Sequence, residues 1–229
     1  MMVLTKHTSR SLGWRGSREA LIHVHALAVT MVIRPTFGDR LVPRWRPDWR
    51  IDDAPLVYLD LETTGLHPER GHRITEIGLI DRGGIRLHLQ PGEDPSTDDE
   101  QSALMTLIDD IRDKVVVGHH IPFDLRFLAA RAGRLGLSFP TLGFVDTLGL
   151  ARLHLDLNVQ ESSDQNSGLP TLELATVARF LNLDLPKELH RAIPDARLCR
   201  RVLQILIDQE KLQTLKDLRV RRLQLHPGS

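Results

Sequence analysis

The most constraining feature of this chain is the stretch Leu56–Leu66, which reads Leu-Val-Tyr-Leu-Asp-Leu-Glu-Thr-Thr-Gly-Leu. In a β-strand successive side chains point to opposite faces, so Asp60 and Glu62 share one face and the alternating apolar residues share the other. Two carboxylates held in one small space repel each other, and burial makes their charges more costly. A fold that places them at the end of an apolar strand therefore favours a cation there, and a hard divalent metal ion is the obvious candidate.

An Asp-x-Glu pair alone is also typical of a solvated strand end, and on the pair alone that interpretation is the stronger one. The turn Thr63-Thr64-Gly65, which follows directly, favours a binding site. A glycine there ends the strand and lets the backbone come close to a ligand, while the threonine hydroxyls and amides can hold it.

The composition of the 229-residue chain limits its class. With 41% apolar residues it can bury one substantial core, so one domain is expected. A formal net charge of zero argues against nonspecific coating of duplex DNA, but not against an enzyme whose metal ions neutralise phosphate locally. The single cysteine, Cys199, excludes an internal disulfide and a cysteine-rich zinc site, and we expect it to fill apolar space on a helix. No run approaches the length that spans a membrane, and we expect a cytoplasmic protein.

Residues 1–50 are the hardest part of the sequence to interpret. Basic residues precede the apolar stretch Leu21–Ile33, which partly resembles a signal peptide, but His23 and His25 interrupt its apolar part. Two other interpretations stay open. One is a disordered or loosely helical extension, and the other is upstream sequence that is not normally translated, with Met31 as the start.

Arginine-rich segments flank the expected domain. Arg44–Arg50 mixes tryptophans with arginines, which either stack on bases or pack the tryptophans on the domain and leave the arginines in water. Near the other end, Arg219, Arg221 and Arg222 predict a solvated tail, with nucleic-acid contact as the alternative.

The remaining pattern predicts a mixed α/β fold. Ile74–Asp81 and Gly84–Gln90 read as two strands that follow the first in an antiparallel meander. Ser96 or Thr97 caps the next helix, and Val115–Gly118 predicts a short buried strand. The later predicted elements are a strand over 144–147, helices over 148–155 and 171–181, a polar loop over 156–169 and a helix over 195–211.

A second candidate carboxylate stands after the short buried strand. Pro122 suits a first helical turn, and Asp124 in that turn meets the favourable end of the helix dipole. Taken alone, Asp124 is more typical of a first-turn acid than of a metal ligand. His119 and His120 are compatible with ordinary packing or hydrogen bonding, and Phe123 with the core.

A second candidate pair precedes the last predicted helix. Asp195 is expected in its first turn, and His190 lies in the preceding loop, close enough to serve the same site. Taken alone, the pair is better explained as an N-terminal aspartate and an unrelated surface histidine. Asp146 is interpreted as a helix cap.

In their order along the chain, these segments resemble a known family. Three segments carry the resemblance: Asp60-x-Glu62-Thr-Thr-Gly, His119-x-x-x-Phe123-Asp124 and His190-x-x-x-x-Asp195. Together they resemble the three motifs of the DEDDh 3′-to-5′ exonucleases. This is the family of the proofreading epsilon subunit of bacterial DNA polymerase III. The resemblance covers residues 55–208 and implies a ribonuclease H-like α/β fold, a central mixed sheet flanked by helices. It implies an exonuclease domain over 51–212, between an N-terminal extension over 1–50 and a C-terminal tail over 213–229.

The resemblance also implies a role for each site residue. The implied catalytic set comprises the acidic ligands Asp60, Glu62, Asp124 and Asp195 and the general base His190. The residues implied to bind the terminal nucleotide are Thr63, Thr64, Gly65, Leu66, His119 and Phe123. The family uses two Mg²⁺ or Mn²⁺ ions. Two metal ions about 3.5 to 4 Å apart can generate hydroxide near neutral pH and stabilise the leaving oxygen, and hard carboxylate oxygens suit such ions.

The sequence departs from the family in two places. His120 stands where the family often has asparagine, which matters little if that side chain only supports the loop. The stretch between Gln90 and Val115 is short where the family commonly has a longer loop and helix beside the substrate, which affects specificity and processivity. The polar loop after Leu155 is a candidate to compensate.

Three functions follow as hypotheses. The first is a metal-dependent 3′-to-5′ exonuclease on DNA ends, the second is the same chemistry on RNA or short oligoribonucleotides, and the third is a noncatalytic nucleic-acid-binding module. The expected partners are single-stranded 3′ ends, with DNA favoured over RNA, and a DNA polymerase is a further partner that the resemblance allows. A degenerate relative would lack a ligand or the histidine, and this chain keeps all of them.

Overall fold

The first three apolar segments form the predicted antiparallel meander. In a computed structural model, which describes residues 45–89, 96–155 and 172–223, β1 is Leu56–Thr63, β2 is Ile74–Asp81 and β3 is Gly84–Leu89. β1 pairs with β2 and β2 with β3, both antiparallel. The tight connection between β2 and β3 is stabilised by the Gly83 N–H, which donates to the Asp81 carboxylate over 2.7 Å.

The second half of the sheet is mostly parallel. β4, Val115–Gly118, lies parallel to β1, and β5, Gly143–Asp146, lies parallel to β4. A two-residue strand β6, Arg221–Arg222, closes that edge antiparallel to β5. The sheet order β3-β2-β1-β4-β5-β6 makes β1 central, and the carboxyl ends of β1, β4 and β5 meet at one edge, where ligands bind in open sheets.

Five α-helices in the described part of the chain flank the sheet. They are α1, Thr97–Ile111; α2, Ile121–Arg134; α3, Thr147–His154; α4, Leu174–Phe180; and α5, Ala192–Glu210. Ser96 caps α1 in a reciprocal capping box with Asp99, as predicted. α5 begins three residues before the predicted start at Asp195, and α4 begins at Leu174 rather than at Thr171, a position outside the described residues.

Strand alternation divides the core between the two faces of the sheet. The apolar side chains of β1 that include Val57 and Leu59 pack in one cluster with α1 and α2. Tyr58 lies on the opposite face, whose cluster contains residues of α3, α4 and α5, including the buried Cys199 that was predicted to be apolar filler. Because Asp60 and Glu62 continue the Tyr58 face, they point toward α5.

The segments at the two margins of the predicted domain pair with each other. Ile51 N–H donates to the Gln213 carbonyl over 2.9 Å, and Leu215 N–H donates to the Trp49 carbonyl over 3.0 Å. Trp45 is buried, and the Arg222 guanidinium lies 5.7 Å from the centre of its ring. The packing interpretation of the tryptophans is therefore confirmed.

The two C-terminal arginines that were expected in a solvated tail instead form β6, although their side chains are exposed. This happens because β5 offers an unpaired edge on which a short antiparallel strand can form hydrogen bonds. The domain limits at residues 50 and 212 stay predictions.

Several predicted features lie outside the described residues. They are the polar loop over 156–169, most of the extension over 1–50 and the loop after Leu89. Among the helices in the described part of the chain, none is long and apolar enough to cross a membrane.

Candidate metal centre

Three carboxylates from two distant segments converge at the end of β1. Asp60 and Glu62 point from β1, and Asp195 points toward them from the first turn of α5. One oxygen of each carboxylate lies within 4.8 Å of those of the other two. The two residues predicted from strand alternation and the aspartate predicted from the last motif therefore share one site.

A glycine in β2 permits this convergence. Gly78 is the cross-strand partner of Asp60, and a Cβ on it would lie 2.7 Å from the backbone carbonyl carbon of Ala192, the first residue of α5. Without a side chain there, the start of α5 lies directly on the β1–β2 pair and brings Asp195 beside Asp60. The sequence analysis missed Gly78, although a glycine inside a predicted strand is a signal for close backbone approach.

Burial and mutual repulsion disfavour the charged forms of the three converging carboxylates. Burial, then the charges of Asp124 and Asp195, raises the pKa of Asp60 well above its usual value. Burial, then the charge of Asp195, raises the pKa of Glu62. Burial also raises the pKa of Asp195, partly offset by hydrogen bonding from the His190 backbone. The arrangement is thus electrostatically strained in the absence of a cation.

The donor set fits a hard divalent ion. Within the described part of the chain, Asp60 and Glu62 form no ion pair, and the buried Oδ1 of Asp195 has no hydrogen-bond partner. Buried polar atoms normally have partners, so an unpartnered carboxylate oxygen that lies among other carboxylates is suited to metal coordination.

Asp124 lies next to this group but is not one of the three converging carboxylates. It is buried in the first turn of α2, as the sequence predicts. Burial raises its pKa to about 8, with a further increase from the charge of Glu62, while hydrogen bonds with the backbone of Asp124 itself and of Leu61 act in the opposite direction. Its charge has the largest effect on Asp60 after burial, which places it within electrostatic range of the site.

His190 stands at the exposed side of the carboxylates. Its backbone has a left-handed conformation with φ of 60°, and its N–H donates to Asp195 Oδ2 over 3.1 Å. A positive charge on its ring would lower the pKa of both Glu62 and Asp195. As predicted, the histidine lies in the loop before α5, next to Asp195, and its part in the reaction stays a prediction.

One further acid and a nearby arginine were missed by the sequence analysis. Glu76 is the cross-strand partner of Glu62, is 2% exposed and raises the pKa of Asp60, Glu62 and Asp195. Arg191 Nε lies 3.0 Å from Glu76 Oε2. The signal available in the sequence was the position of Glu76 on the strand that follows Asp60 and Glu62 in the meander.

The turn after β1 is held by its own hydrogen bonds. Thr63 Oγ1 donates to the Gly65 carbonyl over 2.8 Å, and Thr64 Oγ1 accepts from the Arg73 N–H over 3.0 Å. A Cβ on Gly65 would lie 2.5 Å from the ring of His72, so here the glycine accommodates a side chain of the protein itself. Leu66 is 69% exposed beside this turn.

His119 has partners inside the protein on both sides of its ring. Its Nδ1 lies 3.0 Å from Thr147 Oγ1 and its Nε2 lies 2.7 Å from the Leu172 carbonyl oxygen. Burial lowers its pKa, which favours the neutral ring. These contacts support the packing interpretation of His119 and leave its predicted role in substrate binding a prediction. Phe123, half-buried, packs its ring 5.8 Å from that of Phe127.

The loop before α2 depends on Asp146 and on the backbone of His120. Asp146 Oδ1 accepts from the Leu148 N–H and also from the His120 N–H over 2.8 Å, so the predicted cap is confirmed and has a second role. His120 has φ of 61°, a conformation in which asparagine and histidine are both enriched. This explains in physical terms why His120 can stand where the family often has asparagine.

Comparison with known proteins identifies the superfamily of this chain. A family model described as the RNase H superfamily matches residues 57–190, more than half of the chain. The chain belongs to the RNase H superfamily. The match begins in β1 and ends at His190, so it includes Asp60, Glu62 and Asp124.

Two relatives and one solved structure illustrate the range of similar proteins. DNA polymerase III PolC-type from Thermotoga maritima is 25% identical over an alignment of 228 residues. The alignment covers 86% of this chain and 16% of the polymerase. DNA polymerase III subunit epsilon from Rickettsia felis is 28% identical over 173 residues, covering 64% of this chain and 71% of the subunit. A product-bound structure of exonuclease I has a TM-score of 0.50 and 14% identity, covering 72% of this chain and 45% of that one, and it supports the RNase H-like fold.

Proposed function

We propose that this chain is a metal-dependent exonuclease that hydrolyses phosphodiester bonds from the 3′ end of DNA. The observation that carries the proposal is the convergence of Asp60, Glu62 and Asp195, whose oxygens lie within 4.8 Å of one another without an ion pair from the described chain. Bound cations would offset the repulsion among these carboxylates, and cations beside an open sheet edge would also attract phosphate.

The carboxylates would divide between two ions. Asp60, Glu62 and Asp195 would hold one, and Asp60 together with Asp124 would hold the other. When bound, two Mg²⁺ or Mn²⁺ ions lower the pKa of a water molecule and stabilise the developing charge on the leaving 3′ oxygen. The burial of Asp124 keeps solvent away from that side of the site, which strengthens every charge interaction there.

His190 would accept the proton of the attacking water. Imidazole is the side chain that exchanges a proton near neutral pH, and this ring is exposed to solvent at the edge of the carboxylate group. From that position a ring nitrogen can take a proton from the site and release it to bulk water.

The turn Thr63–Leu66 would receive the terminal nucleotide. Its backbone is fixed by internal hydrogen bonds to Gly65 and Arg73, so it would bind without further ordering. The exposed side chain of Leu66 would pack on the terminal base, with Phe123 as a further contact. DNA is favoured over RNA because two similar proteins are named DNA polymerase III PolC-type and DNA polymerase III subunit epsilon.

The test is digestion of 5′-labelled single strands, DNA and RNA in parallel, with Mg²⁺ or Mn²⁺ and with His190→Ala as the control. We expect a ladder that shortens from the 3′ end, faster on DNA, and that is lost with EDTA and in the variant. Faster digestion of RNA would replace the substrate and keep the chemistry. Strand binding without digestion would overturn the proposal in favour of a noncatalytic binding module.

A further inference from the structure

The ion pair between Glu76 and Arg191 has no part in the proposed reaction, yet it lies against the site. Glu76 faces Glu62 across the β1–β2 pair and is almost completely buried. A further carboxylate adds repulsion to the group, and like charges directly opposite each other on neighbouring strands are destabilising. A positive charge beside Glu76 offsets this repulsion, and the Arg191 guanidinium provides it, with Nε 3.0 Å from Glu76 Oε2.

Arg191 also contacts a second carboxylate, and the two contacts differ in burial. Its Nη1 lies 3.3 Å from Glu188 Oε2, a side chain that is largely exposed, whereas Glu76 is buried. Solvent weakens the exposed pair, so the contact with Glu76 holds the guanidinium in place. Arg191 is also the N-cap residue of α5, and the loop before that helix is therefore tied to β2.

His190, the neighbour of Arg191, has a backbone that needs such support. Histidine is among the residues enriched in the left-handed region, but the conformation still costs free energy for any non-glycine residue and persists when its surroundings determine it. The His190 N–H bond to Asp195 fixes one side of this residue, and the Arg191 contact with Glu76 fixes the other. Together they set the direction in which the imidazole leaves the backbone.

We infer that Glu76 and Arg191 are positioning residues that hold His190 at the carboxylate group. This inference rests on the proposed function, in which His190 accepts the proton. The pair acts through geometry because neither residue needs to touch the substrate or a metal ion. A displacement of a catalytic group by about 1 Å can cost about a hundredfold in rate, which is ample reason to retain a buried ion pair.

The kinetic test compares two contacts of the same guanidinium. Arg191→Met removes both contacts and keeps much of the apolar stem, and we expect kcat to fall by about tenfold to a hundredfold with KM for the strand unchanged. Glu188→Gln removes only the exposed contact and is expected to change kcat less than about twofold. Arg191→Lys, which keeps the charge, is expected to recover part of the loss.

A second comparison separates positioning from a general structural role. At high enzyme concentration and long incubation, the slow digestion that remains in His190→Ala can be measured. If Arg191 acts through His190, Arg191→Met does not slow that remaining digestion further. An equal loss of rate in both backgrounds, or an unchanged kcat in Arg191→Met alone, would overturn the inference.

Amide hydrogen exchange in metal-free protein gives a readout that does not depend on activity. We expect Arg191→Met to speed exchange in the 186–191 segment and to leave β1 and α2 unchanged, while Glu188→Gln does not. If the wild-type protein digests neither strand but Arg191→Met still speeds exchange in the 186–191 segment, the anchoring is supported and the proposed function is rejected. If the wild-type protein is active but Arg191→Met leaves exchange in that segment unchanged, the anchoring is rejected and the proposed function is kept.

Discussion

Two acidic sites in this molecule, one fully buried and one half-buried, differ in how their negative charge is balanced. Glu100, in α1, is completely buried and accepts from Arg131 Nε and Nη2 over 2.7 and 2.6 Å, with Arg73 Nε at 3.8 Å. The charge is thus neutralised by the chain. At the end of β1, by contrast, Asp60 and Glu62 form no ion pair within the described residues, and an oxygen of Asp195 lacks a partner.

The difference shows what distinguishes a structural acid from a functional one. Glu100, Asp124 and Asp195 all stand in the first turn of a helix, where the helix dipole favours a negative charge. Their local sequence settings are therefore alike. What separates them is the set of distant side chains that packing brings to each one, namely arginines for Glu100 and carboxylates for the other two.

The largest expected effect comes from removing a carboxylate of the metal centre. Asp60→Ala is expected to reduce cleavage to undetectable levels, because no ion would be held at the reacting phosphate. The fold is expected to remain, with no loss of metal-free thermal stability, because the substitution relieves repulsion. Digestion of labelled strands and thermal unfolding of the same preparation test both parts. Cleavage at the wild-type rate would remove the metal centre from the proposal.

The second effect is on stability and belongs to the other acidic site. Glu100→Ala leaves Arg131 buried without its partner, and we expect the free energy of unfolding to fall by about 3 to 5 kcal/mol. Urea denaturation in metal-free buffer measures it, with Asp60→Ala as the matched acid-to-alanine control. Equal losses in the two variants would erase the distinction between the sites.

The third effect is stabilisation by metal alone. Mn²⁺ at about a hundred times its Kd is expected to raise the free energy of unfolding by about 2.7 kcal/mol. Asp195→Asn should weaken this gain because it removes a ligand charge, whereas the exposed Asp48→Asn should leave it intact. Thermal unfolding with and without Mn²⁺ gives the comparison. A gain that is independent of Asp195 would point to an ion held elsewhere.

Taken per pH unit, the smallest effect is the pH dependence of metal-free stability. The pKa of Asp124 rises from 3.8 to about 8 on folding, so between these values the folded state binds more protons than the unfolded state. Stability should therefore fall as pH rises from about 4 to about 8, by at most about 1.4 kcal/mol per pH unit for this group. Asp124→Asn should flatten that slope in urea titrations across the range. An unchanged slope would mean that other groups cause it.

The sequence predicted much of the fold because the relevant signals are local. The alternation in β1, the meander turn, the capping box at Ser96 and the cap at Asp146 each depend on residues within a few positions of one another. Helix limits were less accurate. The start of α5 is set by the packing of Ala192 on Gly78, a contact between residues more than a hundred positions apart.

The same distinction applies to the candidate site. The sequence by itself determined that Asp60 and Glu62 share a face and that His190 and Asp195 stand together at a helix start, because strand and helix periodicity fix such relations. Only the tertiary structure decided that α5 rests on β2, that Glu76 and Arg191 join the site, and that His119 is engaged by Thr147 and Leu172. The physical reason is that backbone periodicity orders neighbours, whereas sheet order and close packing choose which distant side chains meet.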